Sequence, residues 1–85
     1  MSISPSEIGD RITAYLKTEF FSDDPEVLNN QTALLSEGYI DSLSVMVLVE
    51  YLEKAFDFEF EPHEVEPENL DSIDKMVAFI QRKKR

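Results

Sequence analysis

Eighty-five residues, 18 acids against 8 bases, a formal net charge of −10 and no cysteine bound the chain to one small domain over residues 1–85, which buries only about 60–65% of its unfolded surface. A core that thin excludes most large enzymes with deep, water-excluding cavities, and the missing Cys excludes disulfide frameworks, thiolate zinc sites and thiol nucleophiles. Nucleic acid is excluded as a partner, because binding it depends on setting Lys and Arg against phosphates, while 42% hydrophobic residues are enough to fold.

The first helix is announced by Ser4-Pro5-Ser6-Glu7, a capping box with Pro at the first helical position, where its missing N–H costs nothing. Ile3 and Ile8 are placed as a hydrophobic staple, and Ile8, Ile12, Tyr15 and Leu16 recur at helical spacing as one buried stripe that predicts a helix to about Phe20. Ser22-Asp23-Asp24-Pro25 stops it. The connection from Phe21 to Ile40 is longer than a compact domain normally carries without a folded or functional reason. Val27, Leu28, Leu34, Leu35, Tyr39 and Ile40 supply anchors to pin it, with a short helical turn, and Gly38 offers positive φ before the next element.

Asp41 is a good N-cap, and Ser42 to Phe56 contains neither Gly nor Pro, which predicts a second helix over that span. At about 100° per residue, Val45, Leu48, Val49, Leu52, Ala55 and Phe56 form the core face. Leu43, Val47, Glu50 and Lys54 fall opposite, with Met46 and Glu53 at the margin, so apolar side chains stand where solvent is expected. Asp57-Phe58-Glu59-Phe60-Glu61 alternates like a strand, but a lone strand cannot make a sheet, and an extended connector anchored by Phe58 and Phe60 is expected. One short turn over His63 to Glu66 follows, between Pro62 and Pro67. Ser72 then caps a last helix with Ile73, Met76, Val77 and Ile80 as its stripe. The fold class is an all-α four-helix bundle with three principal helices, a short third helix and a long first loop.

Charge is segregated: Asp41 to Asp74 holds eleven acids and one base, Lys54, whereas Lys75 onward holds five bases and no acid. Basic protein surfaces are the expected partners, solubility being the plainer account. The closing Arg82-Lys83-Lys84-Arg85 reads as a solvated tail rather than as a helix end gathering cations. No basic start precedes a long apolar run and no stretch nears the roughly 20 apolar residues of a membrane span, so a cytoplasmic protein is expected.

Two chemistries fail on their geometry. From Asp57 to Glu68 acids stand at the first, third, fifth and twelfth positions of a calcium loop, but the sixth, which needs Gly, is Pro62. Ile40-Asp41-Ser42-Leu43 overlaps an esterase signature, yet a nucleophilic Ser needs a base in reach, and the only His is His63 in a Pro-flanked acidic connector. Neither metal ligands nor catalytic residues are assigned.

What remains is Ser42 in the first turn of a long helix, preceded by Asp41 and beside Leu43, Met46 and Val47 ringed by acids. The run Leu34-Leu35-Ser36-Glu37-Gly38-Tyr39-Ile40-Asp41-Ser42-Leu43, followed by an acidic amphipathic helix, resembles the attachment region of acyl and peptidyl carrier proteins. The resemblance covers nearly the whole chain. It implies that Ser42 receives 4′-phosphopantetheine from coenzyme A through a magnesium-dependent phosphopantetheinyl transferase, with Asp41 orienting that enzyme and its metal. It also implies that Leu43, Met46 and Val47 anchor partner enzymes inside an acidic rim of Glu50 and Glu53. Those partners are the transferase, an acyl- or aminoacyl-loading enzyme and a downstream synthase or transferase with a basic docking surface, and a second-helix face that such enzymes need favours a monomer. Carriers of fatty-acid synthesis typically have acids two and five positions after the modified Ser, where this chain has Ser44 and Val47. Gly-Tyr-Ile-Asp-Ser, and Pro67-Glu68-Asn69-Leu70 before the last helix, resemble discrete carriers of specialised pathways, such as aminoacyl, D-alanyl, polyketide or modified-lipid systems. The alternative is an acidic helical interaction module that is never modified.

Overall fold

The structure is a computed structural model and describes residues 3–84. Four α-helices are present, α1 (Pro5–Glu19), α2 (Ser44–Phe56), α3 (Pro67–Leu70) and α4 (Ile73–Lys83), with single 3₁₀ turns at Pro25–Val27 and Pro62–Glu64. No strand occurs among the described residues, so the fold is the expected small helical bundle.

Ser4 caps α1 by accepting the Glu7 N–H on Oγ at 3.1 Å. Only half of the expected capping box forms, because the Glu7 carboxylate turns forward to Arg11, 2.9 Å away and one turn along the exposed face. Ile8, Ile12 and Leu16 are fully buried, and Phe20 closes the helix with its N–H on the Leu16 carbonyl. Tyr15, from the same stripe, is only partly buried. Its ring stacks on Tyr51 of α2 at 3.9 Å and joins the two long helices at the edge of the core.

Leu48, Val49, Leu52 and Phe56 carry the inner face of α2, with Val45 and Ala55 half-buried beside them. The helix ends at Asp57, whose φ of 57° is left-handed, and the chain then extends so that Phe58 and Phe60 reach α4. There Phe60 stacks on Phe79 at 4.9 Å. Phe79 lies outside the expected stripe of the last helix, yet it is buried, because these two rings widen the apolar face that α4 has to cover.

Two expectations for the C-terminal third are corrected. The short third helix is Pro67–Leu70, not 63–66. Pro62 and Pro67 each occupy a first-turn position, where a residue without an N–H is tolerated, so the segment makes two separate turns. The basic end is not a solvated tail through Lys84. Helix α4 runs to Lys83, whose Nζ pairs with Glu64 at 3.0 Å. Arg82 donates to the Asn69 side chain and Lys84 to the Asp57 carbonyl, so cations sit at the negative end of the α4 dipole as the alternative reading had it. Arg85 lies outside the described residues.

Candidate functional site

The long first connection is folded throughout. Thr32 Oγ1 donates to the Val27 carbonyl and accepts the Asn29 N–H, which closes one small loop. Residues 34–40 make a second turn, sealed by the Ile40 N–H on the Leu34 carbonyl at 3.0 Å. Gly38 sits in it at φ 79°, a conformation that a side chain would strain. Leu34 and Ile40 are buried at the two ends. Tyr39, expected as an anchor, is instead 45% exposed, its ring tilted against Phe21 at 5.3 Å.

This turn delivers the chain to α2. The regular helix begins at Ser44, two residues later than expected, but Asp41 still caps it: Oδ1 accepts the Ser44 N–H at 2.7 Å and its carbonyl accepts the Val45 N–H at 3.0 Å. Ser42 therefore lies in the winding first turn, exposed, at the positive end of the α2 dipole. An open cleft of about 380 Å³ adjoins it, walled by Leu35, Gly38 and Ile40 of the turn and by Val65, Glu66, Pro67 and Leu70 of the α3 region, with Val45 between them.

The outer face of α2 is apolar where it should be polar. Leu43 is 83% exposed, Met46 54% and Val47 55%, and Glu50 completes the i, i+3, i+4, i+7 stripe. Glu50 is paired one turn on with Lys54 at 3.3 Å, an exposed contact that contributes little. Glu53 is a different case. It is half-buried and its Oε2 accepts the Phe60 N–H at 2.7 Å, so this acid holds the connector after α2 and stands at the edge of the stripe. From Thr18 to Glu53 there is no Lys, Arg or His, so the chain that leads into the stripe brings no cation, and Lys54 stands at its far end.

Sequence reasoning passed over Asp71. Its carboxylate accepts the N–H groups of Leu35 and Ser36 on Oδ1, at 2.7 and 2.9 Å, and the Ser36 hydroxyl on Oδ2 at 2.6 Å, while its carbonyl accepts the Leu34 N–H. The only signal was an acid next to a helix cap, and its partners lie 36 and 35 positions away.

Three carboxyls are held below the usual range. At Asp41 the cause is the Ser44 N–H, helped by the Ser44 hydroxyl. At Glu64 it is the Glu61 N–H and then Lys83. At Asp71 burial pushes upward, but the hydrogen bonds from Ser36 and Leu35 outweigh it. A carboxyl with a lower pKa folded than unfolded stabilises the fold fully above its unfolded value, about 3.9 for Asp and 4.3 for Glu. That contribution is lost as pH falls through the folded value. Asp24, raised by its hydrogen bond to Glu26 and by repulsion from it, has the opposite sign but is exposed. Thermal melts across pH should therefore show a midpoint that drops steeply below about pH 4, with Asp71→Asn flattening part of that acid limb.

The phosphopantetheine attachment site family matches residues 10–80. The chain belongs to that family. This carrier domain is 32% identical over 78 residues, 92% of each chain, to the D-alanyl carrier protein of Lactococcus lactis subsp. lactis (strain IL1403). It is 31% identical over 77 residues, 91% of each chain, to the protein of the same name from Lactococcus lactis subsp. cremoris (strain MG1363). It is 27% identical over 74 residues, 87% of this chain and 85% of the other, to "Probable acyl carrier protein PigG" of Serratia sp. (strain ATCC 39006). These relatives are named as carrier proteins. Among the described residues no helix is long and apolar enough to cross a membrane.

Proposed function

We propose that this protein is a stand-alone carrier whose Ser42 holds 4′-phosphopantetheine and passes acyl or aminoacyl groups between enzymes of a lipid, polyketide or related specialised pathway. The observation that carries the reading is the exposed Ser42 in the first turn of α2, with an apolar cleft alongside it.

The residues present fit the group. A phosphodiester on Ser42 Oγ would stand at the positive end of the α2 dipole, which favours an anion there, and the cleft has apolar walls against which the arm could lie. When attached, the group supplies the thiol on which cargo travels as a thioester, which a chain without Cys cannot supply itself. The chain's own part is positional. Asp41, anchored by the Ser44 N–H, presents a fixed carboxylate next to Ser42, placed to orient the transferase and its magnesium ion. Leu43, Met46 and Val47 offer apolar anchors, and Glu50, with Glu53 at the margin, attracts a basic docking surface. Activation of the Ser42 hydroxyl falls to the phosphopantetheinyl transferase.

The test is intact mass before and after incubation with coenzyme A, magnesium and a broad-specificity transferase, with Ser42→Ala alongside. The wild type is expected to gain one phosphopantetheinyl group, located on the peptide that contains Ser42, and Ser42→Ala to gain none. A folded, previously unmodified wild type that gains nothing would instead support an interaction module that is never modified.

A further inference from the structure

Three consecutive N–H groups, those of Leu34, Leu35 and Ser36, end on Asp71, one on its carbonyl and two on its carboxylate, and the Ser36 hydroxyl adds a fourth bond. The 34–40 turn belongs to no helix, so these donors need partners from elsewhere. Asp71 supplies them from the corner between α3 and α4. It directly follows Leu70, the last residue of α3, and directly precedes Ser72, whose Oγ caps α4. The same corner reaches the loop once more, through the Asp74 N–H on the Asn30 carbonyl at 3.0 Å. Both walls of the cleft beside Ser42 therefore meet at one residue: the turn wall through the bonds of Leu35 and Ser36 to the Asp71 carboxylate, and the α3 wall through the backbone of Asp71 itself. From the turn the path to Ser42 is short. The Leu34 carbonyl receives the Ile40 N–H, Ile40 is buried, Asp41 caps α2, and Ser42 is next.

We infer that Asp71 is a positioning residue for the attachment reaction, clasping the 34–40 turn to the α3–α4 corner so that Ser42 is presented in one orientation and the cleft beside it keeps its shape. The inference rests on the reading of Ser42 as the acceptor. Asp71 lies on neither α2 nor its exposed apolar stripe, so its loss leaves the docking face intact. The N–H groups of Leu35 and Ser36 then turn to water, and the serine is set down less accurately. Small displacements of a reacting group reduce turnover steeply, whereas a partner that docks on an unchanged surface keeps its KM.

The test is steady-state transfer of phosphopantetheine to wild type, Asp71→Ala, Asp71→Asn and Ser36→Ala, with amide hydrogen exchange of Leu35, Ser36 and Ile40 measured on each. Asp71→Ala is expected to lower kcat roughly tenfold at unchanged KM for the carrier and to speed exchange at all three amides. Asn keeps an oxygen for the two N–H groups and should restore most of both. Ser36→Ala, which removes one bond, should lower kcat by about twofold or more. Wild-type kcat in Asp71→Ala overturns the inference, and so does a loss confined to KM, which would make Asp71 part of docking. If Asp71→Ala does not fold, unchanged kcat in Ser36→Ala overturns it. A wild type that is not modified at all, or a Ser42→Ala that is, removes the reading of Ser42 and this inference together, whereas the other results bear on Asp71 alone.

Discussion

Leu48→Ala is expected to destabilise the protein by about 3 kcal/mol, within the 2–5 usual for truncating a buried leucine, while Leu43→Ala on the same helix changes stability by less than about 0.5 kcal/mol. The two residues share side-chain chemistry and differ in burial: Leu48 is fully buried between the helices and Leu43 is 83% exposed. The larger loss combines the transfer of a side chain out of water with the cavity left behind. An 85-residue domain has a total stability of about 4–13 kcal/mol, so Leu48→Ala removes a substantial share. It should lower the thermal midpoint by roughly 12–24 °C. Paired melts of the two variants measure the contrast, and equal effects would mean that α2 does not present the face described.

Leu43→Asp should lower kcat/KM for transfer of phosphopantetheine about tenfold or more, with a thermal midpoint within a few degrees of wild type. Leu43 is the most exposed large apolar side chain of the described residues, directly after Ser42. An apolar anchor that fills a partner's pocket carries a large part of binding energy. A new carboxylate there is left desolvated against that pocket. Steering by the acidic surface persists, so the loss should appear mainly in KM and resist changes in salt. Kinetics at two ionic strengths test this: an unchanged kcat/KM would take Leu43 out of the docking face. The split is the reverse of that expected for Asp71→Ala, which separates a residue that meets the partner from one that places the serine.

Helices α1, α2 and α4 were legible because their information is local. A capping Ser or Asp, a Pro tolerated at a first turn and apolar residues every three or four positions lie within a few residues of each other. The outward-facing Leu43, Met46 and Val47 could be read the same way, since a helix of known phase assigns each residue to a face. Ser42 stood out only through its setting, a cap, an apolar stripe and acids around one hydroxyl, because a Ser at a helix start is common.

Sequence by itself determined where the three long helices wind, which side of each carries the main buried stripe and that Ser42 stands at the head of α2. The tertiary structure decided everything that depends on partners distant in sequence. Glu53 is committed to the Phe60 N–H and not to the rim alone, and Phe79 is buried because Phe58 and Phe60 come to meet it. The basic end is helical and fastened because Glu64, Asn69 and the Asp57 carbonyl converge on it, and the loop is ordered because Asp71 reaches back to Leu35 and Ser36. Periodicity encodes a residue's environment on its own helix. A hydrogen bond between residues 36 positions apart exists only once the bundle has closed and set the two segments side by side.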